Sequence, residues 1–165
     1  MDDAAFREAE AALVVMASSG LPMDGLIEEI SKINRTGKHT LQAFDPLSVT
    51  GRAHLVWAYI NALSSFRSGS NISGSVALEM LLFAALTSQI EEAIKRVGAK
   101  SSRAFVLFAG SKPALAMARR FATVAGNFNP GRDESLKAAR RLGIAGTRDI
   151  DGQLIQKMAV SRLER

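Results

Sequence analysis

The sequence predicts an α+β fold, a small mixed or antiparallel sheet packed with several helices in a single domain spanning residues 1–165. Three observations predict it. AFVLFAG, residues 104–110, is apolar at every position, as a strand covered on both faces must be. AALVVMA, residues 11–17, is a second compact apolar run, stopped by Ser18, Ser19 and Gly20. Between and after these runs lie longer stretches at helical spacing, and strands interspersed with many helices pack as layers around a sheet.

The elements follow in chain order. MDGLIEEISKIN places Leu26, Ile27, Ile30 and Ile33 on one helical face, closed by a turn at Gly37. HTLQAF alternates Leu41 and Ala43 with Thr40 and Gln42, which predicts a short strand. Asp45 then suits a helix cap and Pro46 a first helical position, where a missing N–H costs nothing. A helix is expected from Leu47 to Phe66, with Leu47, Leu55, Ala58, Ala62 and Phe66 on one face and Val56, Trp57, Ile60 and Leu63 making much of the rest apolar. RSGSNISGS breaks the chain, and Ser75 is placed to cap the next helix.

Leu78 to Gly98 starts as an unbroken apolar run and ends as an amphipathic one, which reads as two helices meeting at Thr87, Ser88 and Gln89. Ser88 precedes Glu91 by three residues, the capping-box spacing, so Ser88 is expected to cap the second helix. That helix should bury Ile90, Ala93, Ile94 and Val97, with Gly98 as the C′ residue. The 104–110 strand is expected to be central. SKPALAMARRFATVAG reads as a helix capped by Ser111, GNFNPG as a break, DESLKAARRLG as a helix opened by Arg132 or Asp133, and DIDGQLIQKMAVSRLER as the last helix, carrying Ile150, Leu154, Ile155, Met158 and Leu163.

Composition narrows the chemistry. The chain has no cysteine, which excludes thiolate catalysis and cysteine-ligated metals, and its two histidines, His39 and His54, fall in no metal-ligand spacing. No catalytic constellation, metal site or cofactor is expected. No window reaches the ~18 uninterrupted apolar residues of a membrane span, and the acidic start MDDAAFREAEAAL does not read as a secretory leader, so the expected compartment is the cytoplasm. The net charge of +5 hides an asymmetry: residues 1–94 carry 6 basic and 11 acidic side chains (−5), and residues 95–165 carry 15 and 5 (+10). Such a chain attracts polyanions with one part.

Two local features ask for a chemical reading. AGSKPA follows a strand and opens a helix, so its amides and Lys112 suit an anion, but it lacks the G-x-x-x-x-G-K-[ST] spacing and scaffolding is the favoured reading. Glu79 stands alone among Leu78, Met80, Leu81 and Leu82, where partnership with a helix N-terminus is preferred over a catalytic role.

The central third carries a resemblance. FDPLSVTGRAHLVWAYINAL, a polar turn after SSFRSG, then VALEMLLFAALTSQIEEAIKRVG and AFVLF are together similar to the kinase-binding subunits of the KEOPS complex, the TPRKB-like family of archaea and eukaryotes. The correspondence runs through about residues 44–109, with Asp45, Pro46, Glu79, Gln89, Ile90, Ala93, Ile94 and Gly98 at matching places. It implies a non-catalytic subunit that binds and regulates the small atypical kinase of an assembly that puts threonylcarbamoyl on tRNA adenosine, contacting the other subunits through that kinase. Archaeal members also hold the single-stranded 3′ tail of tRNA.

Under that resemblance Arg52, His54, Arg67 and Asn71 near the polar turn, with Ser88, Lys95, Arg96 and Arg103 beyond it, are the candidate RNA-binding residues. Many archaeal relatives carry a basic residue where this chain has Ser88, which leaves weaker tail binding or a contact through Arg67 as the expectation. Leu154, Ile155 and Met158 of the last helix are the candidate kinase-binding residues. The rival readings are a free-standing RNA-binding domain and, behind it, a small enzyme binding a phosphorylated ligand at residues 110–113.

Overall fold

A computed structural model describes residues 2–146 and 148–165. They form α1 (Asp3–Ala9), β1 (Leu13–Ser18), α2 (Met23–Asn34), β2 (Leu41–Phe44), a 3₁₀ turn (Pro46–Ser48), α3 (Arg52–Ser68), α4 (Val76–Ala85), α5 (Ile90–Val97), β3 (Phe105–Ala109), α6 (Lys112–Ala118), β4 (Thr123–Asn127), α7 (Arg132–Arg141) and α8 (Ile150–Leu163). The strands make one sheet in the order β2-β3-β1-β4, antiparallel at every pairing, so the fold is α+β.

β3 is central, and its alternation divides the protein into two cores. Val106 and Phe108 face a core built with α3, α4, α5 and α8, whereas Phe105, Leu107 and Ala109 face a core built with α2 and α6. Both phenylalanines are fully buried, worth roughly 1.5–3 kcal/mol each by area. Tyr59 of α3 lies against Phe108 with ring centroids 4.8 Å apart.

The outer edge of β2 is closed by the chain itself. Asn34 at the end of α2 imitates a neighbouring strand: its Oδ1 accepts from the Leu41 N–H and its Nδ2 donates to the Leu41 carbonyl, both at 2.8 Å. Further along, the Asp45 N–H donates to the Val97 carbonyl at 2.9 Å, and Gln42 Oε1 accepts from the Ala43 N–H at 2.9 Å. An open edge is a template for pairing with other chains, and these contacts block it.

Several sequence expectations need correction. The helix expected from Leu47 begins at Arg52. Asp45 does cap, through Oδ1 to the Leu47 N–H, but what it caps is a single 3₁₀ turn, after which Val49 is extended and no regular structure resumes until Arg52. The stretch expected to continue as helix to Gly126 instead stops at Ala118 and returns as β4, whose Val15–Asn127 and Ser18–Thr123 pairings flank an irregularity at Met16 and Ala17. α1, which has only seven residues, was not readable as a helix from periodicity.

The corner between α4 and α5 exists, but the capping differs from the expectation. α4 ends with Leu86 in the left-handed region (φ 55°), and the Thr87 N–H reaches back to the Leu82 carbonyl at 3.2 Å. Ser88 makes no cap bond. The hydroxyl that accepts is that of Thr87, from the Gln89 N–H at 3.2 Å, and Gln89 is the N-cap. Thr87→Ala should therefore lower stability by about 0.5–1 kcal/mol, while Ser88→Ala stays within about 0.5 kcal/mol of wild type; urea melts giving the reverse order would contradict this geometry.

Gly98 is needed for a different reason than a left-handed cap. Its φ is −63°, and a Cβ there would meet the Ile94 carbonyl oxygen at 2.6 Å, because the chain turns tightly from α5 into an antiparallel bridge with Phe44. α5 also buries less than its pattern predicts: Ala93 and Val97 are sealed, but Ile90 and Ile94 are 38% and 49% exposed.

Candidate nucleic-acid interface

The polar turn between α3 and α4 is organised by Glu79. This carboxylate, fully buried in the first turn of α4, accepts from the N–H groups of Ile72 (3.1 Å) and Ser73 (2.9 Å) and from the Ser73 hydroxyl (2.8 Å). It also forms an ion pair with the Arg165 guanidinium, which lies over the Phe83 ring with its central carbon 3.8 Å from the centroid. Glu79 is thus a structural anchor whose partners are turn amides and an arginine that follows α8. The macrodipole of α4 favours its charge there.

Around this anchor lies a cleft of about 750 Å³ between the α4–α5 corner, the polar turn and α8. Ile72, Leu86, Leu142 and Val160 line it as apolar surface, Arg96, Lys157 and the Glu79-paired Arg165 bring cations against the one carboxylate of Glu164, and Thr87, Ser88, Gln156 and Ser161 add polar groups. Arg96 is held by the corner it serves: Nε pairs with Glu92 at 2.7 Å and Nη1 donates to the Ala85 carbonyl at 3.2 Å.

The candidate residues do not all gather at this cleft. Ser88 and Arg96 line it, and Lys95 is exposed one residue away on α5. Arg67 sits at the end of α3 beside the turn, engaged with Asp2 (3.2 Å) and Glu8 (2.7 Å), and so ties α1 to α3. Arg52, at the other end of α3 and roughly 22 Å away at ~1.5 Å per residue, donates to the Ala12 carbonyl at 3.0 Å. Asn71 is spent within the turn, donating to the Ser73 carbonyl at 3.0 Å. Arg103 precedes β3, outside the cleft lining.

His54 cannot contact RNA as expected, because it is 1% exposed. Its Nδ1 accepts from the Thr50 N–H at 3.2 Å, so the proton resides on Nε2, which donates to the Ala84 carbonyl at 2.9 Å. Burial pushes its pKa down to about 4.

The kinase-binding candidates on α8 are likewise corrected. Leu154 and Met158 are 1% and 0% exposed and belong to the core shared with α3 and α4. They follow the inward stripe of the helix, leaving only Ile155 half-buried. The apolar side chains that α8 does leave open are Val160 and Leu163, and a separate apolar groove is lined by Ile27 of α2 and Ile94 of α5 with Met23, Leu78 and Ala99.

At the 110–113 turn two of the amides that would face a phosphate are engaged within the protein, while Lys112 is exposed and takes part in no ion pair among the described residues. The Gly110 N–H donates to the Thr40 carbonyl at 2.9 Å, and Ser111 Oγ accepts from the Ala114 N–H at 3.3 Å. Among the described residues no group of three or more His, Asp or Glu side chains is placed to hold a metal ion, and no helix is long and apolar enough to cross a membrane.

Sequence reasoning missed Lys157, Ile72 and Leu86 as cleft residues, since only the fold brings α8 to the corner. No protein-family model and no curated protein matches the chain.

Proposed function

We propose that the chain is a non-catalytic subunit of the tRNA-modifying KEOPS assembly, binding its small atypical kinase and holding the single-stranded 3′ tail of tRNA in the cleft beside the α4–α5 corner. The observation that carries the proposal is the make-up of that cleft. Unstacked nucleotides need cations for phosphates and flat or apolar surface for bases, and here Arg96 and Lys157 stand beside Ile72, Leu86, Leu142 and Val160.

The resemblance over residues 44–109 supplies the identity of partner and RNA. Its landmark residues support the same corner: Asp45 bonds to Val97 at the end of α5, Glu79 anchors the turn, and Gly98 allows the tight exit. For the kinase, the resemblance names the partner, and the uncovered Ile27, Ile90 and Ile94 offer an apolar surface with charged neighbours. Other subunits are reached through the kinase, and such a role belongs in the cytoplasm.

The test is the double variant Ile72→Ala, Lys157→Glu. Both side chains are exposed, so the fold should be kept. Affinity for tRNA with its 3′ tail should fall by about 1 kcal/mol or more, roughly fivefold, with little change for tRNA lacking the tail. Equal loss for both RNAs, or none for either, would remove the cleft from the account.

A further inference from the structure

No Asp or Glu falls between Glu92 and Asp133, whereas eight basic residues do: Lys95, Arg96, Lys100, Arg103, Lys112, Arg119, Arg120 and Arg132. The fold collects part of this stretch at one end of the sheet, and Ser19 is the clamp. Just past β1, its N–H donates to the Ser102 carbonyl at 2.7 Å and its hydroxyl to the Phe121 carbonyl at 2.6 Å. The loop feeding β3 and the turn between α6 and β4 are therefore bound to one residue.

Arg103, Arg119 and Arg120 are carried on those two segments. All three are exposed, and among the described residues none takes part in an ion pair. Lys100, on the same loop, donates to the carbonyls of Ile94 and Lys95 at the end of α5, at 3.0 and 2.6 Å. α2 starts four residues after Ser19 with no side-chain cap, which adds the positive end of its dipole; Asp24 is the one carboxylate of its first turn.

We propose that this end of the sheet is a second RNA-binding surface, which takes phosphate groups of the folded part of the RNA. The proposal rests on the reading of the chain as a tRNA-binding protein and is separable from the tail-holding cleft. Three arginines without carboxylate partners present guanidinium forks that match phosphate oxygens in pairs. None of the large exposed apolar side chains lies within residues 98–132, so nothing there is suited to enter a lipid surface. Contacts of this kind position the RNA and add affinity without reading its sequence.

The experiment uses the full chain with Arg103, Arg119 and Arg120 all changed to Gln, and a tRNA transcript with or without its 3′ tail, titrated with salt. The slope of log affinity against log salt should fall by about 2–3, at about 0.7–0.9 per phosphate contact, and both RNAs should weaken by the same factor. An unchanged slope overturns the proposal, as does a loss confined to the tailed RNA. Poly-glutamate that displaces the RNA at equal charge overturns it in favour of an acidic protein partner. Where the triple variant weakens binding but tail removal does not, the cleft reading falls and this surface stands. Where tail removal weakens binding but the triple variant does not, the surface falls and the cleft stands.

Discussion

Glu79→Ala is expected to lower the stability of the protein by about 3–5 kcal/mol, the cost of breaking a buried ion pair from one side. Glu79 is 0% exposed, and four donors converge on it: the Ile72 and Ser73 amides, the Ser73 hydroxyl and Arg165. Truncation leaves a guanidinium whose side chain is only 2% exposed without its counter-charge. It also frees the amides that fix the polar turn. Because Arg165 lies over Phe83, the change should loosen the packing of α8 on α4 as well.

The partner substitution separates these effects. If the charge imbalance dominates, Arg165→Met in the Glu79→Ala background should recover part of the loss, since a neutral apolar side chain suits the face of Phe83 better than an unpaired cation. Urea denaturation of the four proteins gives the coupling. A Glu79→Ala midpoint indistinguishable from wild type would contradict the anchoring role.

Acidification should destabilise the protein through His54 by about 3 kcal/mol. The unfolded histidine titrates near its ordinary value of 6.5, whereas burial in the folded protein lowers it to about 4. Between those values the unfolded chain binds a proton that the folded chain refuses, so stability is fully present above pH 6.5 and declines as the pH falls toward 4. The geometry explains the refusal: a proton on Nδ1 would face the Thr50 N–H that now donates to it. Melting curves for wild type and His54→Gln across this range check it. The variant should be less stable at pH 7 but with a flatter dependence, and parallel curves would contradict the assignment.

Much of the fold was legible because it is written in unbroken patterns. AFVLFAG has no polar residue to put toward water, and so it could only be the covered central strand. The polar turn and the Ser75 and Ser111 caps were equally plain, since their side chains act locally. What failed depends on partners distant in sequence. β4 is recognisable as a strand only once β1 offers an edge, and its mostly exposed residues carry no alternation. Ser88 has the capping-box spacing, yet the left-handed Leu86 turns the chain so that Thr87 provides the hydroxyl.

The candidate site was legible only in part, for the same reason. Ser88 and Arg96 were named from the corner and do line the cleft, but its other wall is α8, almost seventy residues along the chain. Leu154 and Met158 stand as partner candidates in the sequence although periodicity favours inward packing, because an apolar stripe looks alike whether it faces a core or a partner; they pack inward. The arginines on the Ser19 clamp did have a signal, the acid-free run from residue 93 to residue 132.

The most direct test of the account is the affinity of the protein for one tRNA transcript before and after removal of its single-stranded 3′ tail, measured at a fixed salt concentration. With each stacked base contributing about 1–3 kcal/mol, the account predicts that removal weakens binding by roughly tenfold or more. Equal affinity for the two RNAs would contradict it.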